Sequence, residues 1–121
     1  MNLQVETRLS DQIARYIDLA SSEAKLTAAN MANIDTPGYK SLGMDFEAEM
    51  RGAIGGENQE RGAQPVKVNA VDGLIARPDG NNVSMDRESL NLADAQLKYK
   101  TGVALLRLEY QRVMDAIHAD K

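Results

Sequence analysis

The side chains that could do chemistry in this 121-residue sequence are few and do not form groups. The sequence has no Cys and a single His, His118, which excludes thiolate sites, Cys nucleophiles and multi-histidine metal sites. Ser21 and Ser22 would need a neighbouring base to act as nucleophiles, and they fall inside a helical pattern rather than on a strained turn. We therefore predict no catalytic residue and no enzyme activity.

Two acidic strings could be taken for cation sites. Three acids alternate over residues 45–49, but no His or Cys lies near them, and such a string is typical of a solvated surface. A calcium loop beginning at Asp79 would need Gly and Glu at the positions occupied by Ser84 and Leu90. A turn followed by a helix cap explains this second string better. We predict no metal ion and no cofactor.

The overall composition favours one small helical domain. Aromatic residues make up only 4% with no Trp, which disfavours a tight sandwich or barrel, whereas six Met are compatible with helix-on-helix packing. The formal net charge of −4 disfavours nucleic acid and anionic membranes as partners. The first residues lack the basic and apolar regions of a cleaved signal, so we expect any export to use another route.

Residues 3–34 are predicted to form one long helix. Apolar or small residues repeat at steps of three and four, and no Gly or Pro interrupts them. The helix is expected to end near Asn33, because Pro37 removes a backbone donor and pushes Thr36 out of the helical region. The stripe consists of Leu9, Ile13, Tyr16, Ala20, Ala24, Thr27, Met31 and Ile34.

Residues 40–84 are predicted to be an irregular central segment. Residues 52–65 are rich in Gly and polar residues with few apolar anchors, so we expect them to be mobile. Apolar and polar side chains then alternate over residues 66–70, followed by a turn at residues 72–73 and a second apolar run at residues 74–75. This pattern predicts a short β-hairpin, which needs another element to lie against because a lone hairpin is marginally stable.

A second long helix is predicted from Ser84, its N-cap, to about His118. Its stripe alternates steps of four and three over nearly four heptads, which is the pattern of a coiled coil. Gly102 lies in the middle and is small enough to let another helix approach closely. The stripe consists of Leu92, Gln96, Tyr99, Val103, Leu106, Tyr110, Val113 and Ile117.

These two helices are too long to enclose a core of their own. Each is roughly 45–50 Å long, whereas a globule of this chain length has a radius of gyration of about 13–14 Å. Pairing leaves flanking apolar positions exposed, and exposed faces of that size mark interaction surfaces. We predict a mainly α fold whose long N- and C-terminal helices pair as a coiled coil, with a central irregular segment containing a short β-hairpin. The segments of this single unit are residues 1–34, 35–84 and 85–121.

The most distinctive string is A-A-N-M-A-N-I-D-T-P-G-Y-K-S, at residues 28–41. Asn30 and Asn33 lie three apart at the predicted helix end, where amide side chains can bond backbone carbonyls that the helix leaves unpaired. A turn follows, with Pro37 at its second and Gly38 at its third position. The string therefore predicts a joint that sets the direction in which the chain leaves the helix.

This string resembles the A-N-x-x-N-x-x-T-P-G-Y signature of bacterial flagellar axial proteins, which are the rod, hook and hook-associated proteins. The later string D-G-N-N-V-S-M-D-R-E, at residues 79–88, and the short length resemble the rod members. The resemblance covers both helical ends and the second turn, well over half of the chain. Residues 50–78 depart most from the pattern, and nothing is carried over to them.

The resemblance implies a structural role. Family members are non-enzymatic building blocks whose terminal helices pair in an axial coiled coil. The resemblance implies export of the unfolded chain by the flagellar type III apparatus without a cleaved signal, followed by helical assembly into a rod in the periplasmic space that transmits torque. The implied partners are the export apparatus, other rod proteins and copies of the chain itself, with no nucleic acid and no small-molecule substrate.

Two sets of residues are expected to carry this function. The helix-turn joint consists of Asn30, Asn33, Thr36, Pro37, Gly38 and Tyr39. The subunit contacts are predicted at Leu9, Ile13, Ile17, Leu26, Leu92, Val103, Leu106, Tyr110, Val113 and Ile117. A second hypothesis is a soluble helical adaptor or chaperone that binds a partner helix in a groove. It would form complexes of fixed, low stoichiometry, which sedimentation distinguishes from polymers.

Overall fold

Two long helices dominate the chain, of which the computed structural model describes residues 7–55 and 65–119. In chain order the elements are α1 (Arg8–Ala32), β1 (Leu42–Met44), α2 (Phe46–Gly55), β2 (Val68–Ala70) and α3 (Met85–His118). The two strands form one antiparallel pair. This architecture confirms the predicted fold class of long terminal helices that pack together around a central segment with a small β-hairpin.

Local capping signals set the ends of the two long helices. Thr7 caps α1 by accepting a hydrogen bond from the backbone N–H of Ser10, whose hydroxyl in turn accepts one from the Thr7 N–H. Asn33 is the C-cap of α1, and the Ser84 hydroxyl caps α3, as predicted. The predicted extension of the first helix to residues 3–6 lies outside the described residues.

Helices α1 and α3 pack against each other in antiparallel directions. Thr7 at the start of α1 contacts Glu109 late in α3, and Asn30 near the end of α1 contacts Glu88 early in α3. Between these ends the backbones come close at Gly102, where an added Cβ would lie 2.6 Å from Ile17 Cγ1. The absence of a side chain at this position therefore permits the close approach that the sequence predicts.

The residues of α3 that face α1 differ from the predicted stripe. The buried residues of α3 also repeat every seven positions, but they are small or acidic, whereas the predicted stripe lies about 60° further round the helix at 100° per residue. Tyr99, Tyr110 and Ile117 of that stripe are exposed. The pairing was thus predicted correctly, but the phase of its seam was wrong. The seam residues of α3 are Glu88, Ala95, Gly102 and Glu109.

Helix α2 lies in the segment that was predicted to be irregular, so that prediction was wrong for residues 46–55. Asp45 caps this helix by accepting a hydrogen bond from the Ala48 N–H at 3.0 Å. The helix packs on α1, where the rings of Phe46 and Tyr16 meet edge to face with centroids 5.3 Å apart. Its apolar residues at steps of four were obscured in the sequence by two glycines.

Lys98 links the three helices at one point. Its Nζ lies 4.1 Å from the Phe46 ring centroid and pairs with Glu23 of α1 at 3.1 Å and with Asp94 at 2.9 Å. Burial acts to lower the pKa of Lys98, but the hydrogen bonds to Asp94 and Glu23 outweigh it, and the pKa is raised above its ordinary value. The ammonium therefore stays charged in its partly buried position.

The strand pair has one predicted and one unpredicted member. Val68–Ala70 is a strand, but it pairs with Leu42–Met44 rather than with residues 74–75, so the predicted partner was wrong. The predicted turn is present, with Gly73 at φ +80°, and the chain beyond it leaves Ile75 93% exposed. In the segment predicted to be mobile, residues 52–55 belong to α2, and residues 56–64 lie outside the described residues.

Candidate functional site

Two strings that are distant in the sequence meet where the end of α1 lies beside the start of α3. Residues 28–41 carry the end of α1 and the turn after it, and residues 77–88 carry a second turn and the N-cap of α3. The Gly38 N–H donates to the Asp79 carbonyl at 2.9 Å, and the Asn82 N–H donates to the Tyr39 carbonyl. We call this assembly of the two strings the joint.

Asn30 is the centre of the joint and is buried. Its Nδ2 donates to the Leu42 carbonyl at 2.8 Å and to the Glu88 carboxylate at 3.2 Å, while its Oδ1 accepts from the Leu42 N–H at 3.0 Å. The Tyr39 hydroxyl also donates to Oδ1, at 3.0 Å. The amide thus pairs with the outer edge of β1 as a neighbouring strand would, and it ties α1, β1 and α3 together.

The other residues of the motif shape the turn. Asn33 Nδ2 donates to the Ala29 carbonyl at 2.8 Å, as predicted for an amide at a helix end, and its Oδ1 accepts from the Thr36 hydroxyl. The Tyr39 N–H donates to the Thr36 carbonyl, and Gly38 has φ +75°, the left-handed conformation that glycine adopts without strain. The structure therefore brings all six predicted joint residues, including Pro37, into one corner.

Two asparagines on the other side of this corner were not predicted from the sequence. Asn81 Nδ2 donates to the carbonyls of Asn33 and Thr36, both at 2.9 Å, and each of these carbonyls also accepts a backbone N–H of the turn after α1. Asn82 Oδ1 accepts from the Ser41 N–H at 2.7 Å. All three of Asn81, Asn82 and Ser41 are buried. The signal was a second pair of asparagines beside a turn, which the sequence analysis treated as a turn alone.

Two charged residues of the joint were also missed. The guanidinium of Arg77 donates to the carbonyl of Val83 at 2.8 Å and to that of Ile34. Glu88 lies in the first turn of α3, where it is buried, accepts a hydrogen bond from Asn30, and lies 3.6 Å from the guanidinium of Arg87. Its spacing of seven from the small residue Ala95 is the signal that would have placed it in the seam.

The joint has the properties of a fixed corner rather than of a reactive site. Asn30, Asn81 and Asn82 bond to backbone groups of the neighbouring turns, and such bonds hold a backbone in one arrangement. The Ser41 hydroxyl and Oε1 of Glu88 have no hydrogen-bond partner in the described part of the chain. Among the described residues, no group of three or more His, Cys, Asp or Glu could hold a metal ion. The chemistry available here is hydrogen bonding that sets the path of the chain between α1 and β1.

A second candidate surface is the part of α3 that α1 leaves uncovered. Leu90, Leu97 and Leu108 face away from α1 and are 72%, 65% and 66% exposed. Tyr99 and Tyr110 of the predicted stripe are about half exposed and lie about 160° round the helix from these leucines, across the side that faces away from α1. We call this surface the outer face of α3. The five buried apolar residues among those described are Ile13, Leu19, Ala20, Val83 and Ala95.

The residues predicted to make subunit contacts fall into three groups. Ile13 is buried against α3 within the same chain, and Ile17 is partly covered there by Gly102. Leu9, Tyr110 and Ile117 are exposed. The half-buried remainder consists of Leu26, Leu92, Val103, Leu106 and Val113. For the exposed and half-buried residues, the role in subunit contacts stays a prediction.

Acidification should weaken the pairing of α1 with α3 near Glu109. Hydrogen bonds from the Arg112 guanidinium and then from the Thr7 hydroxyl hold the pKa of Glu109 below its ordinary value. A lowered folded-state pKa contributes stability above the unfolded-state pKa, and this is lost as the pH falls through the folded-state value. Urea unfolding followed by circular dichroism at pH 7, 5 and 3 should show a smaller loss of stability in Glu109→Gln than in the wild type.

The exposed Glu47→Gln substitution on α2 is the matched control, and its pH profile should follow the wild type. Equal pH profiles for Glu109→Gln and the wild type would show that the contact of Glu109 with Thr7 and Arg112 adds nothing to folding.

Within residues 7–55 and 65–119, no helix combines the length and the hydropathy that crossing a bilayer requires.

Comparison with known proteins gives one consistent result. No family model matches the chain. The flagellar basal body rod protein FlgB of Salmonella typhimurium is 34% identical over 119 residues, which cover 84% of this chain and 86% of the relative. The FlgB protein of Borrelia hermsii is 35% identical over 74% of this chain and 80% of its own length. The FlgB protein of Proteus mirabilis is 31% identical over 81% of this chain and 85% of its own length.

Proposed function

This chain belongs to the FlgB family of flagellar basal body rod proteins, and from that membership we propose that it builds the rod through its two terminal helices. It is a structural component of the basal body rod, and the proposed role needs no catalysis. Residues 1–34 and 85–121 are the axial segments of one unit in this proposal, and residues 35–84 connect them. The partners are copies of the chain and other rod proteins.

The outer face of α3 is the observation that carries the proposal. The largest apolar side chains of this helix point away from α1, and its seam with α1 is made of small and acidic residues. Large exposed apolar side chains grouped on one surface mark an interaction site. Since the chain has no further described element to cover Leu90, Leu97 and Leu108, the covering surface comes from another molecule.

The same small core supports the proposed route to the rod. Export as an unfolded chain through the flagellar type III apparatus requires that the chain unfolds easily. Only five apolar side chains are buried among the described residues, so little hydrophobic free energy opposes unfolding before export. In the rod, which we place in the periplasmic space after export without a cleaved signal, neighbouring chains bury the remaining surface, and the packed helices transmit torque.

Replacing Leu97 and Leu108 by Asp together tests this proposal in cells. Both side chains are about two-thirds exposed, so the change in the free energy of unfolding of the isolated chain should stay within about 1 kcal/mol. Burying two carboxylates at a subunit contact is costly, so assembly should fail. In the source bacterium with the chromosomal gene deleted, the wild-type gene should restore swimming in soft agar and the double variant should not.

Ile54→Asp with Ile75→Asp is the matched control, because it also replaces two exposed apolar residues but lies outside the terminal helices. This control should restore swimming as the wild type does. Normal swimming by the Leu97 and Leu108 variant would remove the outer face of α3 from the assembly. Failure of the wild-type gene to restore swimming would refute the role in the rod.

A further inference from the structure

The outer face of α3 carries a basic stripe as well as its leucines. Lys100 and Arg107 are exposed, lie seven residues apart, and so project from the same side of the helix. At about 100° per residue, this side falls between the exposed leucines and Tyr99 and Tyr110. Within the described residues, neither Lys100 nor Arg107 forms an ion pair.

Helix α1 carries the opposite charge at the same spacing. Asp11 and Asp18 are also seven residues apart, and they lie on the side of α1 turned away from α3, because Ile13 and Ala20 on the opposite side are buried. Neither carboxylate has an ion pair with another described residue. The chain thus presents two acids on one outer surface and two bases on the other.

The register within the chain places these charges at matching heights. Thr7 lies opposite Glu109, and Asn30 lies opposite Glu88, so each step along α1 corresponds to an equal step backwards along α3. Asp11 and Asp18 therefore lie at the heights of Arg107 and Lys100 to within roughly two residues, or about 3 Å. Neighbouring copies around a shared axis along the helices keep these heights where the axial rise between them is small, and α3 of one copy then runs antiparallel to α1 of the next.

We propose that the outer face of α3 docks on the outer side of α1 in a second copy at the same axial height, with Lys100 against Asp18 and Arg107 against Asp11. This inference rests on the proposed function and specifies one of its contacts. The exposed leucines and tyrosines of α3 supply the apolar area, and the charge pairs set the register. Because the two surfaces differ, the contact is heterologous, and each copy can bind a neighbour on either side.

Charge reversal with complementation tests this contact. Asp11→Lys with Asp18→Lys makes both surfaces basic, and Lys100→Glu with Arg107→Glu makes both acidic. Each variant alone should self-associate at least about tenfold more weakly than the wild type in sedimentation, because like charges then face each other. An equal mixture of the two should recover affinity to within about threefold of the wild type, since every contact in an alternating assembly again joins opposite charges.

Glu47→Lys with Asp72→Lys is the matched control, because it changes the net charge as the first variant does at exposed positions away from both surfaces. It should associate as the wild type does. Weak association in the mixture would overturn the proposal. Weakening confined to the variant at Lys100 and Arg107 would also overturn it, in favour of a symmetric contact between two α3 helices.

Thiol cross-linking gives a second measurement that tolerates weak association, and the absence of natural Cys leaves no background. Chains with Asp18→Cys mixed with chains with Lys100→Cys should form disulfide dimers at least about fivefold faster than either alone. Equal rates would overturn the inference. If both charge-reversal variants swim as well as the wild type, this contact alone is refuted. If the wild-type gene itself fails to restore swimming in the deletion strain, the rod function is refuted.

Discussion

Replacing Gly102 by Leu should separate α1 from α3 and destabilise the chain by about 3 kcal/mol or more, at the upper end of the range for overpacked cores. A Cβ alone would lie 2.6 Å from Ile17 Cγ1 and 3.1 Å from Tyr16 Cδ1, so even the first added carbon does not fit. Leu is a better helix former than Gly by nearly 1 kcal/mol, so helix propensity alone would stabilise the variant. A measured loss of stability would therefore come from the contact with α1. Urea unfolding followed by circular dichroism measures it.

Gly52→Leu in α2 is the matched control, because no atom lies within 4 Å of a Cβ at Gly52. There the same substitution should be neutral or stabilising by up to about 1 kcal/mol. Adding Ile17→Ala to Gly102→Leu should recover part of the lost stability, since it removes the atom that clashes most closely. If Gly102→Leu proved as stable as the wild type, the close approach of the two helices would not exist in solution.

Replacing Asn30 by Ala should cost about 3 kcal/mol or more and open the joint, because each buried polar group left unpaired costs about 1–3 kcal/mol. The change removes the partners of the Leu42 N–H and carbonyl and a donor to the buried Glu88 carboxylate. Hydrogen exchange at the Leu42 amide should accelerate at least about tenfold. The urea concentration at the midpoint of unfolding, followed by circular dichroism, should also fall.

Asn33→Ala is the comparison, since its bonds to Ala29 and Thr36 are exposed, and it should cost only about 1 kcal/mol. Asn30→Asp is a more specific test of this amide. It keeps the acceptor for the Leu42 N–H but places a second carboxylate beside Glu88. Its loss of stability should shrink as the pH falls and the introduced carboxylate becomes protonated. If Asn30→Ala left exchange at Leu42 unchanged, the joint would not be held by this amide.

Short-range signals account for most of what could be predicted. The cap at Ser84, the end of α1 at Asn33 and the turn at Gly38 follow from residues within four positions of each other, and the structure contains all three. Such signals act through backbone geometry and local hydrogen bonds, which do not depend on distant parts of the chain. The two turn strings at the joint were therefore recognised individually.

Their meeting was not predicted, because it depends on a partner about 50 residues away. Asn81 bonds to the carbonyls of Asn33 and Thr36 only once α1 and α3 are paired. For the same reason, Val68–Ala70 was assigned to the nearest apolar run, whereas it pairs with Leu42–Met44, whose outer edge Asn30 holds in place at Leu42. No spacing within the central segment encodes that choice.

The helical pattern, the absence of reactive groups and the A-N-M-A-N-I-D-T-P-G-Y string were enough to identify a structural member of the flagellar axial proteins with two long paired helices. Which face of α3 meets α1 was settled by packing in three dimensions. Helices approach most closely where side chains are smallest. Ala95 and Gly102 therefore lie in the contact with α1, and the larger leucines and tyrosines remain exposed. Hydrophobic periodicity ranks faces by how apolar they are, and it cannot rank them by how closely a neighbour fits.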